Sequence, residues 1–327
     1  MYDTTYRKGN RRKSRGAVEE RVDLTEVVDL DNAHHPDRWG AVERLSFSDT
    51  VLHVYRFERH PGLYVIRNAL PEALADRLAE DCFTTMLRPP ATTNFNKSHG
   101  LQISGLWEAA HGGMNLSTAI DSSRTHDAMV TTTWDISGDG PPATDFLNNL
   151  RWASIGPVYD WTERRYKSED DHVPLPDYLY DIARELWSKV SDHAQDSVCQ
   201  YTPNAALINY YREGDKLCGH KDDAEMDQTK PLVSISIGCP AIFLMGGHDK
   251  DVEPTPLLLR HRDVAILSGQ ARQSYHGVPR IFPAVRKYPL EGADEPWGPR
   301  PQEVSSDPTP IQTMLQTCRL NISVRQV

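Results

Sequence analysis

The residues with the clearest chemical potential are two histidines and an aspartate. His220 and Asp222 form a His-x-Asp pair, and His276 follows 54 residues later. Side chains two positions apart on a strand point to the same side, and a sheet that folds back would bring the second histidine to them. Two imidazoles and a carboxylate on one face of a metal leave positions open for a chelating co-substrate and dioxygen, which suits non-haem iron(II). Since the chain has 13 histidines, the His-x-Asp pair alone would also fit an ordinary surface pair.

The end of the chain adds a second chemical feature, an alternating strand at 318–325 with the sequence CRLNISVR. Arg319, Asn321, Ser323 and Arg325 share one face of this strand, and the apolar residues share the other. A guanidinium binds a carboxylate with two parallel hydrogen bonds. This face therefore suits a dicarboxylate co-substrate such as 2-oxoglutarate, whereas the alternative is an edge strand with its polar face in water.

The elements that must position these residues are predicted strands from residue 204 onward. Short apolar, β-branched runs separated by turn residues indicate a β-sandwich or barrel. The runs lie at 205–211, 232–237, 241–245, 257–259, 264–267, 274–278 and 320–324. The segment 281–316 contains seven prolines and is predicted to be an inserted loop, because proline cannot donate a hydrogen bond to a β-ladder.

Upstream, the pattern predicts strands and helices, for an α+β fold that is mainly β. A strand is predicted at 51–55, a strand entering a helix at 61–82, and a second helix at 177–190, where apolar residues recur on one face. Residues 88–145 are rich in small polar residues and are predicted to be long loops. We divide the chain into a basic, disordered arm and linker (1–50), an extension with helices and a lid (51–203) and a catalytic core (204–327).

Composition excludes several classes of protein. The 327 residues hold no uninterrupted apolar run of membrane-spanning length and no secretory signal. Five scattered cysteines without a CxxC pair exclude a disulfide scaffold and a zinc ribbon. We therefore expect an intracellular monomer without a membrane partner, in the nucleus, the mitochondrion or the cytoplasm. The net charge of −10 argues against coating nucleic acid by bulk charge but leaves room for a local basic strip. The basic arm is either a solvated tail, a localisation signal or a phosphate-binding arm.

A set of short motifs covers residues 204–325. They are LINYY at 207–211, GD at 214–215, HKD at 220–222, PLVSIS at 231–236, AIF at 241–243, GG at 246–247, GQAR at 269–272, YHGV at 275–278 and RLNISVR at 319–325. This set resembles the AlkB family of iron(II)/2-oxoglutarate nucleic-acid dealkylases. PG at 61–62, LRW at 150–152 and the final VRQV point to the branch of eukaryotic AlkB homologue 1. The resemblance is weaker over 60–200 and absent from 1–50.

The resemblance implies both an activity and a set of site residues. Iron(II) ligands would be His220, Asp222 and His276, and 2-oxoglutarate would be held by Asn209, Tyr211, Arg319 and Arg325 with Asn321 beside them. The fold would be a double-stranded β-helix, or jelly roll, with the upstream helices packed on one sheet and a nucleotide-recognition lid over the mouth. The reaction would use dioxygen to remove a methyl group from methyladenine or methylcytosine in DNA, RNA or tRNA.

A methylated base inside a duplex cannot reach a buried metal, so the substrate would be single-stranded, looped or flipped out. The candidate stacking partners are Trp107, Trp152 and Tyr159, and the candidate phosphate contacts are Arg164, Arg165, Lys167 and Lys250. The tryptophans would equally suit the core, and basic runs such as 164–167 are more often solvated turns than phosphate contacts. Ala224 stands where the bacterial founder of the family has an acidic base-reading residue, and Lys250 replaces an arginine, so the base preference stays open.

Two other functions remain compatible with the sequence. A hydroxylase of proteins or small molecules would share the fold and the metal ligands but would not need a base clamp. A non-catalytic nucleic-acid-binding module would have lost the metal site, against which the complete triad argues. Competition by methylated oligonucleotides separates the first alternative from a demethylase, and iron-dependent succinate release separates the second.

Overall fold

Antiparallel strands dominate the protein. The structure, a computed structural model, describes residues 24–46, 52–117, 130–160, 165–167, 172–194, 200–283 and 307–327. The strands within these ranges are β1 (Val42–Leu45), β2 (His53–Phe57), β3 (Leu63–Arg67), β4 (Thr92–Thr93), β5 (Leu101–Gln102), β6 (Asn115–Leu116), β7 (Val130–Thr131), β8 (Trp134–Asp135), β9 (Trp152–Ile155), β10 (Val158–Asp160), β11 (Arg165–Lys167), β12 (Ala205–Arg212), β13 (Leu217–His220), β14 (Leu232–Gly238), β15 (Ala241–Met245), β16 (Thr255–Leu259), β17 (Val264–Leu267), β18 (His276–Ile281) and β19 (Cys318–Arg325).

Helices are mostly short, and among the described residues five α-helices precede β12 and two follow it. Within the same ranges the α-helices are α1 (Glu72–Phe83), α2 (Asn94–His99), α3 (Leu106–His111), α4 (Ala143–Asn149), α5 (Asp177–Ser191), α6 (Gly269–Arg272) and α7 (Pro310–Leu315). Turns of 3-10 helix cover Leu24–Glu26, Asp37–Trp39 and Thr85–Leu87. None of the helices that the structure describes is both long and apolar enough to cross a membrane.

Two antiparallel sheets organise the described strands. The main sheet has the order β1-β2-β3-β17-β14-β19-β12-β9-β4, and the small sheet has the order β13-β18-β15-β16. The main sheet takes strands from all three segments of the predicted domain division, so the upstream extension and the catalytic core share one sheet. Strand β19 lies between β12 and β14 at its centre, where both of its edges are paired.

Alternation along the strands gives the main sheet two different faces. On one face, Ile208 and Tyr210 of β12 join a core with α1 and α5. The Tyr210 hydroxyl donates a hydrogen bond to the carbonyl of Cys82 in α1. On the opposite face, Tyr211 joins a second core with Phe243 and Met245 of the small sheet. The main sheet therefore separates a helix layer from the space between the two sheets.

The strongest patterns are confirmed. Helix α5 covers the predicted 177–190 because Leu179, Ala183, Leu186 and Val190 form one buried stripe. The predicted strands between 205 and 324 all appear, with ends shifted by a few residues. The helix predicted after 61–71 is α1, and Pro71 is its N-cap residue. The mainly β, antiparallel architecture agrees with the predicted fold class.

Three segments require correction. Residues 24–46, assigned to a disordered arm and linker, contain β1 and two 3-10 turns, and Val28 is fully buried and bridges to Leu257. Residues 88–117 and 130–145 form short strands and helices instead of long loops, because local capping such as the Thr93–Asn96 box of α2 stabilises them. In the proline-rich segment, β18 ends at Ile281 and α7 begins at Pro310, and 284–306 lie outside the described residues.

Candidate metal centre and co-substrate pocket

The three predicted metal ligands meet where strands β13 and β18 pair. His220 ends β13, His276 begins β18, and the two residues lie opposite each other in the ladder. Asp222 follows in the loop after β13, with its carboxylate oxygens 3.8 Å from Nε2 of His220 and 3.5 Å from Nε2 of His276. One potential ligand atom from each residue lies within 4.8 Å of the others. This is the predicted facial arrangement of two imidazoles and a carboxylate.

Each histidine ring is oriented by a hydrogen bond to the backbone carbonyl two residues before it. Nδ1 of His220 donates to the carbonyl of Cys218 at 3.0 Å, and Nδ1 of His276 donates to the carbonyl of Ser274 at 3.2 Å. A carbonyl can only accept, so these bonds place the proton on Nδ1 and leave the Nε2 lone pair free. Metal-binding histidines are oriented in this way by a hydrogen bond from the other ring nitrogen. The donor set and the tautomers therefore fit a divalent metal.

The carboxylate of Asp222, the third predicted metal ligand, is kept charged by its neighbours. Burial opposes ionisation of Asp222, but Arg325 and the two histidines hold its pKa well below the usual range. For His220, burial followed by the proximity of His276 lowers the pKa. A neutral imidazole and an ionised carboxylate are the forms that bind a metal.

A buried network of charges supports Asp222 from behind. Glu225 accepts from Arg272 at 2.7 Å and from Arg325 at 2.6 Å, and Arg325 also lies 3.6 Å from the Asp222 carboxylate. Arg272 in addition donates to the backbone carbonyl of Asp222. We call Glu225, Arg272 and Arg325 the carboxylate–arginine network. It fixes the loop that carries Asp222 relative to β19.

Arg319 is the one residue of the predicted 2-oxoglutarate set with a buried, uncompensated charge. It is 1% exposed, and its guanidinium donates to the carbonyl of Cys239 at 3.2 Å and to the hydroxyl of Ser236 at 2.8 Å. Its Nε has no partner, and no carboxylate among the described residues forms an ion pair with it. Burial lowers its pKa. A buried guanidinium without a counter-ion is costly, so this position suits the carboxylate of a bound ligand.

The remaining predicted co-substrate residues share this face of the main sheet. Asn209 and Tyr211 of β12 lie opposite Asn321 and Arg319 of β19, respectively. Asn321 donates to the hydroxyl of Ser234 at 2.7 Å, and burial raises the pKa of Tyr211 to about 12. The structure thus brings the predicted set together on one face of two neighbouring strands.

The predicted stacking residues divide between the two faces. Trp152 pairs with Asn209 across β9 and β12 and is half-buried, whereas its neighbours Ala153 and Ile155 pack into the helix layer. Since directly paired residues lie on the same face, Trp152 lies on the side of the metal ligands. The Trp107 ring instead lies beside that of Phe83 in α1, with the ring centroids 5.1 Å apart and the planes tilted by 33°, in the helix layer across the main sheet. The structure thus does not bring Trp107 together with Trp152, and its role as a stacking partner stays a prediction.

A short hairpin of β10 and β11 approaches the metal ligands. Tyr159 and Tyr166 are paired in it, and the Tyr166 hydroxyl donates to Glu225 at 3.3 Å. Burial raises the pKa of Tyr166 to about 12, although the charge of Arg325 opposes this shift. Arg165 and Lys167 are the first and last residues of β11, and Arg164 lies outside the described residues. Lys250 is exposed, with Nζ 5.4 Å from the ring centroid of Tyr275, the neighbour of His276.

Several residues around the metal ligands escaped the sequence-based prediction of site residues. Tyr166 and Arg272 both contact Glu225, although 59 and 47 positions separate them from it. Arg272 and Tyr275 lie within the motifs GQAR and YHGV. These motifs supported the family resemblance, but no role was predicted for either residue. Glu225 lies three positions beyond Asp222, and only the folded contacts reveal its function.

Comparison with known proteins identifies the family. The model of the 2OG-Fe(II) oxygenase superfamily matches residues 62–325. The chain belongs to this superfamily. This oxygenase is 32% identical over 287 residues to the DNA N(6)-methyladenine demethylase ALKBH1A of Arabidopsis thaliana, covering 84% of this chain and 77% of that protein. It is 28% identical to the tRNA demethylase abh1 of Schizosaccharomyces pombe, with 83% of each chain covered.

Among the similar solved structures is that of OsALKBH1, with a TM-score of 0.49, 19% identity and coverage of 82% of this chain and 98% of that chain. The relatives confirm the predicted resemblance to AlkB homologue 1. As a 2OG-Fe(II) oxygenase the protein is a dioxygenase with Fe(II), 2-oxoglutarate and dioxygen as its cofactors and co-substrates. Bound iron would supply the oxidising chemistry, while the protein positions the reactants and excludes water.

Proposed function

We propose that this oxygenase is an oxidative demethylase of methylated bases, methyladenine or methylcytosine, in DNA, RNA or tRNA. The observation that carries the proposal is the pairing of a facial triad with a buried guanidinium that lacks a counter-ion. The printed activities of two relatives, a DNA and a tRNA demethylase, support nucleic acid as the substrate class.

We assign each part of the site a role in this reaction. His220, Asp222 and His276 would hold iron(II) through Nε2 of each ring and a carboxylate oxygen. Arg319 would bind the distal carboxylate of 2-oxoglutarate, with Asn209, Tyr211 and Asn321 lining the same pocket. Arg325 would act mainly through Asp222, because its guanidinium already pairs with Glu225. The contact of Arg325 with the Asp222 carboxylate would orient that carboxylate toward the metal.

The two sheets would form the double-stranded β-helix of the family, and the β10–β11 hairpin would form its nucleotide-recognition lid. Supporting this, the hairpin reaches Glu225 through Tyr166. Trp152 and Tyr159 would stack on the base, and Arg164, Arg165 and Lys250 would contact the backbone. With a net charge of −10, few phosphate contacts are available to offset the cost of unstacking. We therefore expect single-stranded or looped substrates to react faster than a matched duplex.

The protein would act as a monomer in a reducing compartment, the nucleus, the mitochondrion or the cytoplasm. No disulfide joins the four cysteines among the described residues, Cys82, Cys218, Cys239 and Cys318, which suits such a compartment. Sedimentation of the purified protein measures the oligomeric state directly.

The decisive experiment measures succinate and formaldehyde released from a panel of methylated oligonucleotides. The panel carries N6-methyladenine, 1-methyladenine or 3-methylcytosine in single-stranded DNA, matched duplex and a tRNA stem-loop. We expect Fe(II)-dependent release of both products from at least one methylated strand and none from its unmethylated counterpart. His276→Ala should abolish release, since it removes one of three ligands.

The matched control is His111→Ala, a histidine of α3 on the far side of the main sheet, which should retain turnover. Succinate release that no methylated nucleic acid stimulates, but that a protein or small-molecule extract does, would replace this proposal with a hydroxylase. Full activity of His276→Ala would refute the metal assignment.

A further inference from the structure

The turn between β16 and β17, residues 260–263, lies against the part of the chain that holds the guanidinium of Arg319. Arg319 donates to the hydroxyl of Ser236 near the end of β14 and to the carbonyl of Cys239 directly after it. We call residues 236–239 the acceptor segment, because both groups that accept from Arg319 belong to it. The position of this segment therefore determines the position of the guanidinium.

Three hydrogen bonds join the turn to the acceptor segment. The amide of Ser236 donates to the carbonyl of Asp263 at 2.9 Å, and the amide of Arg262 donates to the carbonyl of Ser236 at 2.8 Å. The third bond uses a side chain, since the amide of Gly238 donates to Nδ1 of His261 at 3.0 Å. His261 thus holds the backbone at a point between the two acceptors of Arg319.

The His261 ring is protonated on the opposite nitrogen from the rings of the predicted metal ligands. An amide can only donate, so Nδ1 of His261 carries no proton, whereas Nδ1 of His220 and of His276 donates to a carbonyl. Nε2 of His261 lies 3.5 Å from the carboxylate of Glu72 at the start of α1, and the residue is 7% exposed. The ring is therefore oriented as a hydrogen-bond acceptor for Gly238.

Gly238 needs such a restraint. It lies directly opposite Arg319 in the ladder of β14 and β19, with φ of +83°. A Cβ at this position would lie 2.2 Å from the carbonyl oxygen of Cys318, so another residue does not fit without a shift of the backbone. Glycine adopts this conformation readily, but it brings no side chain to fix it. The bond to His261 supplies the missing restraint.

The turn is itself fixed by residues outside the two strands that it joins. The guanidinium of Arg260 donates two hydrogen bonds to the carboxylate of Asp29, at 2.7 and 2.8 Å, and both residues are buried. The carboxylate of Asp263 accepts from the amides of Arg260 and Asn68, at 2.7 and 3.0 Å. Paired hydrogen bonds of this kind fix geometry. The turn is thus a rigid support for the acceptor segment.

We propose that this turn, through His261 and Ser236, fixes the guanidinium of Arg319 and thereby determines the length of the 2-oxo dicarboxylate that binds. His261 is a positioning residue, and the inference rests on the proposed role of Arg319 in binding 2-oxoglutarate. A guanidinium on fixed acceptors cannot move to meet a carboxylate that lies one methylene farther from the metal. One methylene in an enclosed pocket changes recognition by about 10–200-fold.

The test compares 2-oxoglutarate with 2-oxoadipate, which is one methylene longer. Calorimetric titration of the protein with Mn(II) in place of iron, without oxygen or nucleic acid, gives the Kd of each. The unsubstituted protein should prefer 2-oxoglutarate, and in His261→Leu the ratio of the two Kd values should fall by about tenfold. His261→Asn should restore most of the ratio, because its amide oxygen can accept a hydrogen bond close to the place of Nδ1.

Two further variants separate positioning from stability. His60→Leu removes another buried histidine, 5% exposed and 2.7 Å from the Thr255 hydroxyl. It should lower the free energy of unfolding and leave the Kd ratio unchanged. Ser236→Ala deletes only the hydroxyl that accepts from Arg319, and it should also lower the ratio. It tests the same restraint if His261→Leu does not fold.

The outcomes distinguish this inference from the assignment on which it rests. If Arg319→Met binds 2-oxoglutarate as tightly as the unsubstituted protein, the proposed role of Arg319 fails and the inference fails with it. If Arg319→Met loses binding but His261→Leu or, where that does not fold, Ser236→Ala keeps the Kd ratio, only the positioning role is refuted. An equal loss of discrimination in His60→Leu would also overturn it. None of these measurements depends on the nucleic-acid substrate.

Discussion

Arg319 and Arg325 lie six positions apart on the same face of β19, and both are buried. Arg325 pairs with Glu225 and lies close to Asp222, and these charges raise its pKa although burial opposes this. Arg319 meets only a carbonyl and a hydroxyl, and burial lowers its pKa. The same residue type on one strand face therefore exists in a compensated and an uncompensated form.

The contrast teaches that burial alone does not distinguish a binding arginine from a structural one. A guanidinium that already has its carboxylates stabilises the loop that carries a metal ligand. A buried guanidinium that lacks a carboxylate partner can form an ion pair with the carboxylate of a bound ligand. The two arginines are thus expected to respond in opposite ways to mutation and to ligand.

The largest expected effect is on the free energy of unfolding, at the carboxylate–arginine network around Arg325. Glu225→Gln removes the negative charge between Arg272 and Arg325, and breaking a buried ion pair costs about 3–5 kcal/mol. The free energy of unfolding, measured in urea, should fall by about this amount. Glu213→Gln, in the exposed turn after β12, is the control and should change it little. An equal fall in both variants would mean that the carboxylate–arginine network stabilises the fold no more than an exposed glutamate does.

On the uncompensated side, the expected loss is in ligand affinity. Arg319→Met removes the proposed partner of the 2-oxoglutarate carboxylate, which costs about 2–5 kcal/mol in a buried pocket. The KM for 2-oxoglutarate should rise steeply, as measured by succinate release at saturating oligonucleotide. Stability without 2-oxoglutarate should change far less than in Glu225→Gln. An unaltered KM would assign Arg319 a purely structural role.

Addition of 2-oxoglutarate sharpens the comparison further. At a hundredfold excess over Kd, a ligand that binds only the folded state stabilises it by about 2.7 kcal/mol. With a divalent metal and without oxygen, the unsubstituted protein should gain this amount in urea unfolding. Arg319→Met should gain almost none at the same concentration. Equal gains in both proteins would place the co-substrate elsewhere.

The smallest effect is expected at the hairpin that contacts the compensated side. Tyr166→Phe deletes the hydroxyl that donates to Glu225, and one such hydrogen bond contributes about 0.5–1.5 kcal/mol. Amide hydrogen exchange of β10 and β11 should accelerate, while global unfolding changes by no more than this amount. Unchanged exchange in the hairpin would show that the hydroxyl does not hold it.

The sequence predicted those features that depend on short-range periodicity. The alternation of CRLNISVR gave the face of β19 on which both arginines lie, and the triad followed from residue type and spacing. Helix α5 was predictable because four of its turns carry the same apolar stripe. Patterns of this length outweigh local exceptions.

Features that depend on distant partners were not predictable. The carboxylate–arginine network joins residues 225, 272 and 325, and no periodic pattern links such positions. Short helices were missed for a different reason, because six or seven residues are too few to display a period. For α7, the signal was local: Thr309 and Gln312 form a capping box and Pro310 follows the cap, which marks a helix start within a proline-rich segment.

The strict alternation of β19 also has a consequence for how the protein tolerates insertions and deletions. Because both edges of this strand are paired, losing one residue within it would exchange the two faces for all residues on one side of the deletion. Apolar side chains of that segment would turn toward the predicted metal ligands, and an arginine would turn into the helix layer. Point substitutions behave differently, since the odd-numbered positions of β19 lie on the face of the predicted metal ligands and the even-numbered positions lie on the face of the helix layer. Descendants of this sequence can therefore vary ligand recognition and packing independently, provided that the length of β19 stays the same.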